Sequence, residues 1–118
     1  MLFRSAYLNR QYITIGLVGI VIFVLIWING SNRPISYLRV LSEPEGVRIG
    51  RVATRAESRG QGLATELLRY VVDSTKGKLT LHAQAHLSDW YTSLGYVVTG
   101  EEFDDGDGIP HVPMTFVR

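Results

Sequence analysis

The sequence predicts an α/β (α+β) domain with a mixed central sheet, and three observations carry that prediction. Short runs rich in Val, Ile, Leu and Tyr, each bounded by turn residues, recur between residues 25 and 117. An amphipathic helix pattern over residues 63–75 stands among them. A second, shorter helix pattern precedes the closing strands, giving the order β-β-β-α-β-α-β-β. At 118 residues, one domain is the natural count.

The first element is the least ordinary. Twenty of the first 30 residues are hydrophobic, against 46% for the whole chain, so residues 1–30 form an apolar segment distinct from a domain over residues 31–118. From Ile13 to Ile28 only Thr14 is polar. A 16-residue helix is about 24 Å long against a hydrocarbon core of about 30 Å, the lower edge for a membrane span. Tyr12 and Trp27 flank it as interfacial aromatics would. Membrane association through residues 12–28 is one reading. Buried strands are a second, because Val and Ile dominate and Gly16, Gly19 and Gly30 punctuate the run, and a start region that is not the protein's natural one is the third. Arg4 and Arg10 before it and Arg33 and Arg39 after it choose no orientation, and no Ala-x-Ala cleavage signal follows.

After the turn Asn29 to Pro34, Ile35–Leu41 reads as a strand, with Leu25–Asn29 as its hairpin partner. Ser42 to Gly46 is a second turn and Val47–Thr54 a second strand. The helix begins at Leu63, its apolar face formed by Leu63, Leu67, Leu68, Val71 and Val72, and Gly77 is its stop. Leu79–Ala83 reads as a strand and Leu87–Leu94 as the short helix. Tyr96–Val98 and Val112–Val117 close the sheet around an acidic, glycine-rich loop.

Composition removes several function classes. A net charge of +1, without a block of like charges, supplies no electrostatic footprint for nucleic acid. The absence of cysteine excludes disulfides, thiolate zinc sites and a cysteine nucleophile. No metal is expected: His82 and His86 flank a strand end without a third ligand nearby, and the acidic loop lacks the Glu that an EF-hand needs at its twelfth position.

The chemistry concentrates in Arg59-Gly60-Gln61-Gly62-Leu63-Ala64, between a strand and a helix. Two glycines let the main chain approach a ligand closely, and the free N–H groups of the first helical turn point at an anion. Arg48, Arg51, Arg55 and Arg59 lie in or near the approach, as a phosphorylated cofactor would require. No Gly-Lys-Ser/Thr follows, which excludes a P-loop; Thr65 and the lack of an acid after the next strand argue against a dinucleotide fingerprint.

Arg59-x-x-Gly62-x-Ala64 resembles the pyrophosphate loop of the GNAT superfamily of N-acetyltransferases, and Tyr91 to Tyr96 resembles its Tyr-x-x-x-Gly-Phe/Tyr segment. Ala83-Gln84-Ala85-His86-Leu87, Gly108 to Met114 and Ile49-Gly50-Arg51-Val52 narrow the resemblance to the ElaA-like branch. The resemblance covers Val47 to Arg118 strongly and Trp27 to Leu41 weakly. It implies a GNAT-like mixed sheet flanked by helices and N-acetyl transfer from acetyl-CoA to an amine by direct attack. Carried over, Val52, Ala53 and Thr54 would offer main-chain groups to the pantetheine arm and thioester carbonyl. Residues Arg59, Gly60, Gln61, Gly62, Leu63 and Ala64 would hold the pyrophosphate, and Gln84 would touch the pantetheine. Tyr91 would be the general acid that protonates the departing thiolate.

The base is left among Glu101, Glu102, Asp104, Asp105, Asp107, His86, His111 and a water relay, and the acidic cluster would attract a cationic amine. The implied acceptor is a small-molecule or peptide amine. Such a domain normally begins with a strand and two helices that wall the acceptor cleft, whereas the apolar segment stands in that place, so the fold reads as N-terminally incomplete. The alternative function is therefore a catalytically impaired CoA-binding module or a membrane-anchored interaction module. The implied location is the cytoplasm, or a membrane with the domain on its cytoplasmic side; an oligomer is left open.

Overall fold

A computed structural model describes residues 10–16, 21–28 and 34–118. Strands β1 (Arg10–Gly16) and β2 (Val21–Ile28) form an antiparallel pair. β3 (Ser36–Glu43) and β4 (Gly46–Thr54) follow, joined at Pro44-Glu45, with β2 antiparallel to β3 and β3 antiparallel to β4. Helix α1 (Leu63–Ser74) crosses to β5 (Lys78–Gln84), which lies parallel to β4. A 3-10 turn at Ala85–Leu87 leads into the short helix α2 (Ser88–Ser93), then β6 (Tyr96–Val98), β7 (Phe103–Asp104) and β8 (Pro110–Phe116). Among the described residues the sheet order is β1-β2-β3-β4-β5-β8-β6, with β7 paired to β8. The mixed sheet expected from the element order is present, with one parallel pair at the helix crossover.

Over the described part of Ile13–Ile28 the backbone is extended, as β-branched residues on a pleated sheet favour. Residues 17–20 and 29–33, including most of the Asn29 to Pro34 turn, lie outside the described residues. No helix among those described is long and apolar enough to cross a membrane. The Leu25–Asn29 hairpin expectation corresponds to β2, where Leu25 faces Tyr37 and Ile26 faces Ser36.

Strand alternation sorts the side chains by face. Leu38, Val40, Ile49, Leu79, Leu81, Ala83 and Met114 are buried in one core with Leu67, Leu68 and Val71 of α1. Each of these Leu, Ile, Val and Met side chains withdrawn from water contributes roughly 1.5–3 kcal/mol. The alternate positions, Arg39, Arg48, His82, Gln84 and His111, stand on the opposite face of the sheet. The far end of α1 is held by Arg118, which donates from Nη1 to the Val72 carbonyl (3.1 Å) and from Nε to the Gly77 carbonyl (2.7 Å). A cation over the last helical carbonyls also suits the helix dipole.

Two irregularities open the site. β4 and β5 pair only from Gly46↔Lys78 to Ile49↔Leu81, although β4 continues to Thr54 and β5 to Gln84. Beyond Ile49 the two strands part. In the same stretch the β3–β4 register slips between Tyr37 and Arg39, and Arg51 takes a left-handed conformation (φ 53°). Leu38 thus opposes both Arg51 and Val52, a bulge that bends β4 where the gap begins.

Candidate functional site

The gap between β4 and β5 divides into two cavities that meet at α2. The first, about 540 Å³, lies between the end of β4 and the start of α1. Val52, Ala53 and Thr54 form one wall and Arg59, Gly60, Gly62, Leu63 and Ala64 another. Leu87, Trp90 and Tyr91 close it from the α2 side. Nearly every residue expected to touch the acyl donor is therefore gathered in one place. Two are not. Gln61 is exposed and lines neither cavity, and Gln84 lies in the wall of the second one.

The loop geometry follows from its glycines. Gly60 and Gly62 adopt φ of 81° and 76°, where a side chain would be strained, and a Cβ at either would project into open space. Gly62 is the N-cap of α1, and no side chain caps the helix. The first intrahelical bond runs from the Glu66 N–H to the Gly62 carbonyl (3.0 Å). The N–H groups of Leu63, Ala64 and Thr65 precede it at the positive end of the helix dipole, facing the cavity that these residues line. An uncapped helix N-terminus behind two glycines is an arrangement suited to an anion.

The arginines divide their work. Arg59 donates from Nε to the Thr54 carbonyl (3.0 Å), tying the loop to β4 while its terminal nitrogens stay at an exposed position. Arg55 is paired with Glu57 at 2.8 Å and lines neither cavity. Arg48 and Arg51 line the second cavity rather than the loop. Of the four arginines read as approaching the loop, Arg59 alone lines the cavity beside it; Arg48 and Arg51 of β4 line the second cavity, and Arg55, just past β4, lines neither.

The Ala53 carbonyl already accepts the buried Ser36 hydroxyl (2.9 Å), and the Thr54 carbonyl accepts Arg59. Past Ile49, the β5-facing edge of β4 has no strand partner. That edge offers peptide groups to a ligand lying in the gap.

Tyr91 stands where the cavities join: it lines both, together with Val52 and Leu87. Its ring is buried and packs edge-on against Trp90 (4.8 Å) and Tyr96 (5.8 Å). Burial pushes its pKa above the ordinary tyrosine value of 10, so the hydroxyl holds its proton throughout the neutral range.

The second cavity, about 520 Å³, occupies the polar face of the sheet. Arg39, Arg48 and Arg51 line it from β3 and β4, His82 and Gln84 from β5, and Asp105, Asp107 and His111 from the β7–β8 loop and β8. Register explains the convergence, since Gln84 faces His111 and Phe103 faces His111. Asp104 is spent on its own loop, its Oδ1 accepting the N–H groups of Gly106 (2.8 Å) and Gly108 (3.0 Å). His111 is 7% exposed, and its Nδ1 lies 2.8 Å from the Ile109 carbonyl. A carbonyl only accepts, so Nδ1 donates in this contact and Nε2 is the ring nitrogen left for other partners. His82 stacks edge-on against Phe103 (5.0 Å); partial burial, then the Arg48 charge, lower its pKa below 6.5.

Of the base candidates, Asp105, Asp107 and His111 reach the cavity, whereas Glu101, Glu102, Asp104 and His86 do not line it. Among the described residues no group of three or more His, Asp or Glu could hold a metal ion. Sequence reasoning missed Arg39, Leu87 and Trp90 as lining residues. Arg39 carried no motif signal, although its alternation with buried Leu38 and Val40 marks the polar face of β3.

Comparison with known proteins agrees with this geometry. A family model described as an acetyltransferase (GNAT) domain matches residues 22–118. A UPF0039 protein of Mycobacterium tuberculosis is 42% identical over 82 residues, covering 65% of this chain and 52% of the relative. Protein ElaA of Escherichia coli is 36% identical over 99 residues, covering 77% and 63%. The chain thus spans between about half and two thirds of the length of these curated relatives. Among solved structures, an acyl-CoA N-acyltransferase from Pseudomonas aeruginosa superposes with a TM-score of 0.75 at 32% identity, covering 86% of this chain and 71% of that one. The crystal structure of Escherichia coli ElaA gives 0.73 at 29% identity over the same shares. The sheet, the glycine loop and the family match lead to one assignment: the chain belongs to the GNAT acetyltransferase family, and resembles its ElaA-like members.

Proposed function

We propose that this chain is an N-acetyltransferase that carries an acetyl group from acetyl-CoA to an amine. The observation that carries the reading is that two cavities share Tyr91 and Val52, one beside the glycine loop and the N-terminus of α1 and one polar. The donor substrate supplies the activated thioester. In this reading the helix N-terminus and Arg59 hold its pyrophosphate, and the unpaired edge of β4 from Gly50 to Thr54 takes the pantetheine arm as a neighbouring strand would be taken. Gln84, from the wall of the second cavity, meets the end of that arm.

The acceptor is a neutral amine in the second cavity. Its nitrogen forms a bond to the thioester carbon while β4 N–H groups stabilise the charge developing on the carbonyl oxygen. The carbon–sulfur bond then breaks, and sulfur takes the Tyr91 phenolic proton as it leaves. The proton lost by the amine passes to the His111, Asp105 and Asp107 side of the cavity. A tyrosine kept protonated by burial suits the first transfer, and carboxylates suit the attraction of an amine.

Calorimetric titration of the full 118-residue chain with acetyl-CoA tests the donor half, with saturable binding expected. A thiol-release assay over a panel of amines tests the transfer. Absence of heat at millimolar acetyl-CoA would defeat the reading; binding without transfer to any amine would leave a CoA-binding module.

A further inference from the structure

The second cavity carries charges of both signs, arranged on opposite walls. Arg39, Arg48 and Arg51 stand on the β3–β4 wall, and Asp105 and Asp107 stand on the loop before β8. A cavity meant only for a cationic amine has no use for three arginines. Their charge would repel it.

Arg39 is the most informative of them. Its Nε is enclosed and makes no hydrogen bond, and no ion pair joins it to any carboxylate among the described residues. An enclosed guanidinium nitrogen without an acceptor is costly, and an anionic ligand removes that cost. The side chain lies over Gly50, its partner in the β3–β4 register, where a Cβ would stand 3.2 Å from Nη2. Glycine at that position lets the guanidinium lie across β4 into the cavity. Arg48 has only a loose contact with Glu43, at 3.7 Å, and Arg51 makes no ion pair among the described residues. On the facing side, the buried His111 lines the same cavity as Asp105 and Asp107, its Nδ1 spent on the Ile109 carbonyl.

Resting on the acetyltransfer reading, we propose that the acceptor is an amino acid, its amine directed to the His111 side near Tyr91 and its carboxylate held by Arg39. Gly50, under Arg39, is two residues from Val52, and with the bulge at Arg51 between them the separation is at most roughly 7 Å. That is no more than the span of one amino acid laid between the arginine and the thioester. Planar, forked donation by a guanidinium matches a carboxylate, which a neutral amide or ester cannot replace.

The test compares amino acids with their own carboxamides as acceptors for the 118-residue chain, by thiol release under saturating acetyl-CoA. The carboxamide has the less basic amine, so more of it is neutral and ready to attack at pH 7; intrinsic chemistry favours it. A kcat/KM at least tenfold higher for the free acid is expected in spite of this. The Arg39→Met variant should bring that ratio toward one, and Arg39→Lys, which keeps the charge but not the fork, should give an intermediate ratio. Thermal melting and acetyl-CoA titration of each variant establish that it is folded and binds the donor. Equal or better use of the carboxamides, or an undiminished ratio in Arg39→Met, overturns the proposal while the acetyltransfer reading stands. Loss of acetyl-CoA binding by the unmodified chain, or transfer to no amine at all, defeats that reading and this one with it.

Discussion

At the scale of single residues, Tyr91 combines burial, which raises its pKa, with a position in the lining of both cavities. Replacing it by Phe keeps the ring that packs on Trp90 and Tyr96 and removes only the hydroxyl and the proton it carries. We expect kcat to fall by about 10²-fold or more, the lower range for a positioned acid, with acetyl-CoA affinity unchanged by calorimetry. The direction of the pKa shift also sets a pH limit. The acid form exists below the pKa, so raising the pKa keeps Tyr91 competent to a more alkaline pH than a free tyrosine. Tyr91 was legible in the sequence because a short helix followed by Gly95-Tyr96 carries a recognisable spacing. Arg39 was not. Its position depends on Gly50, eleven residues on and adjacent only through strand register, and one sequence does not display register.

At the scale of elements, the turn into α1 is the part whose chemistry and conformation agree most closely. Gly62 is the N-cap with φ 76° and open space around its missing Cβ. Gly62→Ala therefore separates two effects. Backbone strain should cost roughly 1–2 kcal/mol of stability, since no clash adds to it. The new methyl group would project toward the place assigned to the pyrophosphate, so acetyl-CoA affinity should fall at least tenfold in the same titration. A variant that loses stability but keeps full affinity would remove the loop from the donor site. Most strands and both helices could be read from alternation and from the Leu63–Val72 face. The two-residue β7 was too short to show a period. The Ile13–Ile28 run put a membrane helix ahead of buried strands without deciding between them, because a run apolar on every side has no face to give its period away. The position of β8 between β5 and β6 is likewise a long-range choice that no local pattern encodes.

For the molecule as a whole, buried phenols make stability a function of alkaline pH. Tyr96 is 1% exposed, its hydroxyl has no partner, and burial raises its pKa well above the ordinary value, as it does for Tyr91. Above about pH 10 the unfolded chain releases these protons while the folded one retains them, so the folded state binds more protons and stability falls as pH rises. Below that pH the contribution is fully present. Melting temperature should thus be level toward pH 9 and then decline, and Tyr96→Phe should reduce the decline. At neutral pH the same variant should be no less stable, with a gain of about 1 kcal/mol from removing an unsatisfied hydroxyl. A strongly destabilised Tyr96→Phe would show that the hydroxyl has a partner after all.

The early parting of β4 and β5 has a further consequence beyond catalysis. It places an unpaired strand edge in the interior of the sheet's order, between two strands that elsewhere pair. Exposed edges recruit other chains, and proteins ordinarily shield them with charge, bulges or cover. Here the bulge at Arg51 supplies part of that protection, and an occupant of the gap would supply the rest. On this view the acyl donor also guards the protein's colloidal state: an empty molecule carries a template for aggregation that a loaded one does not.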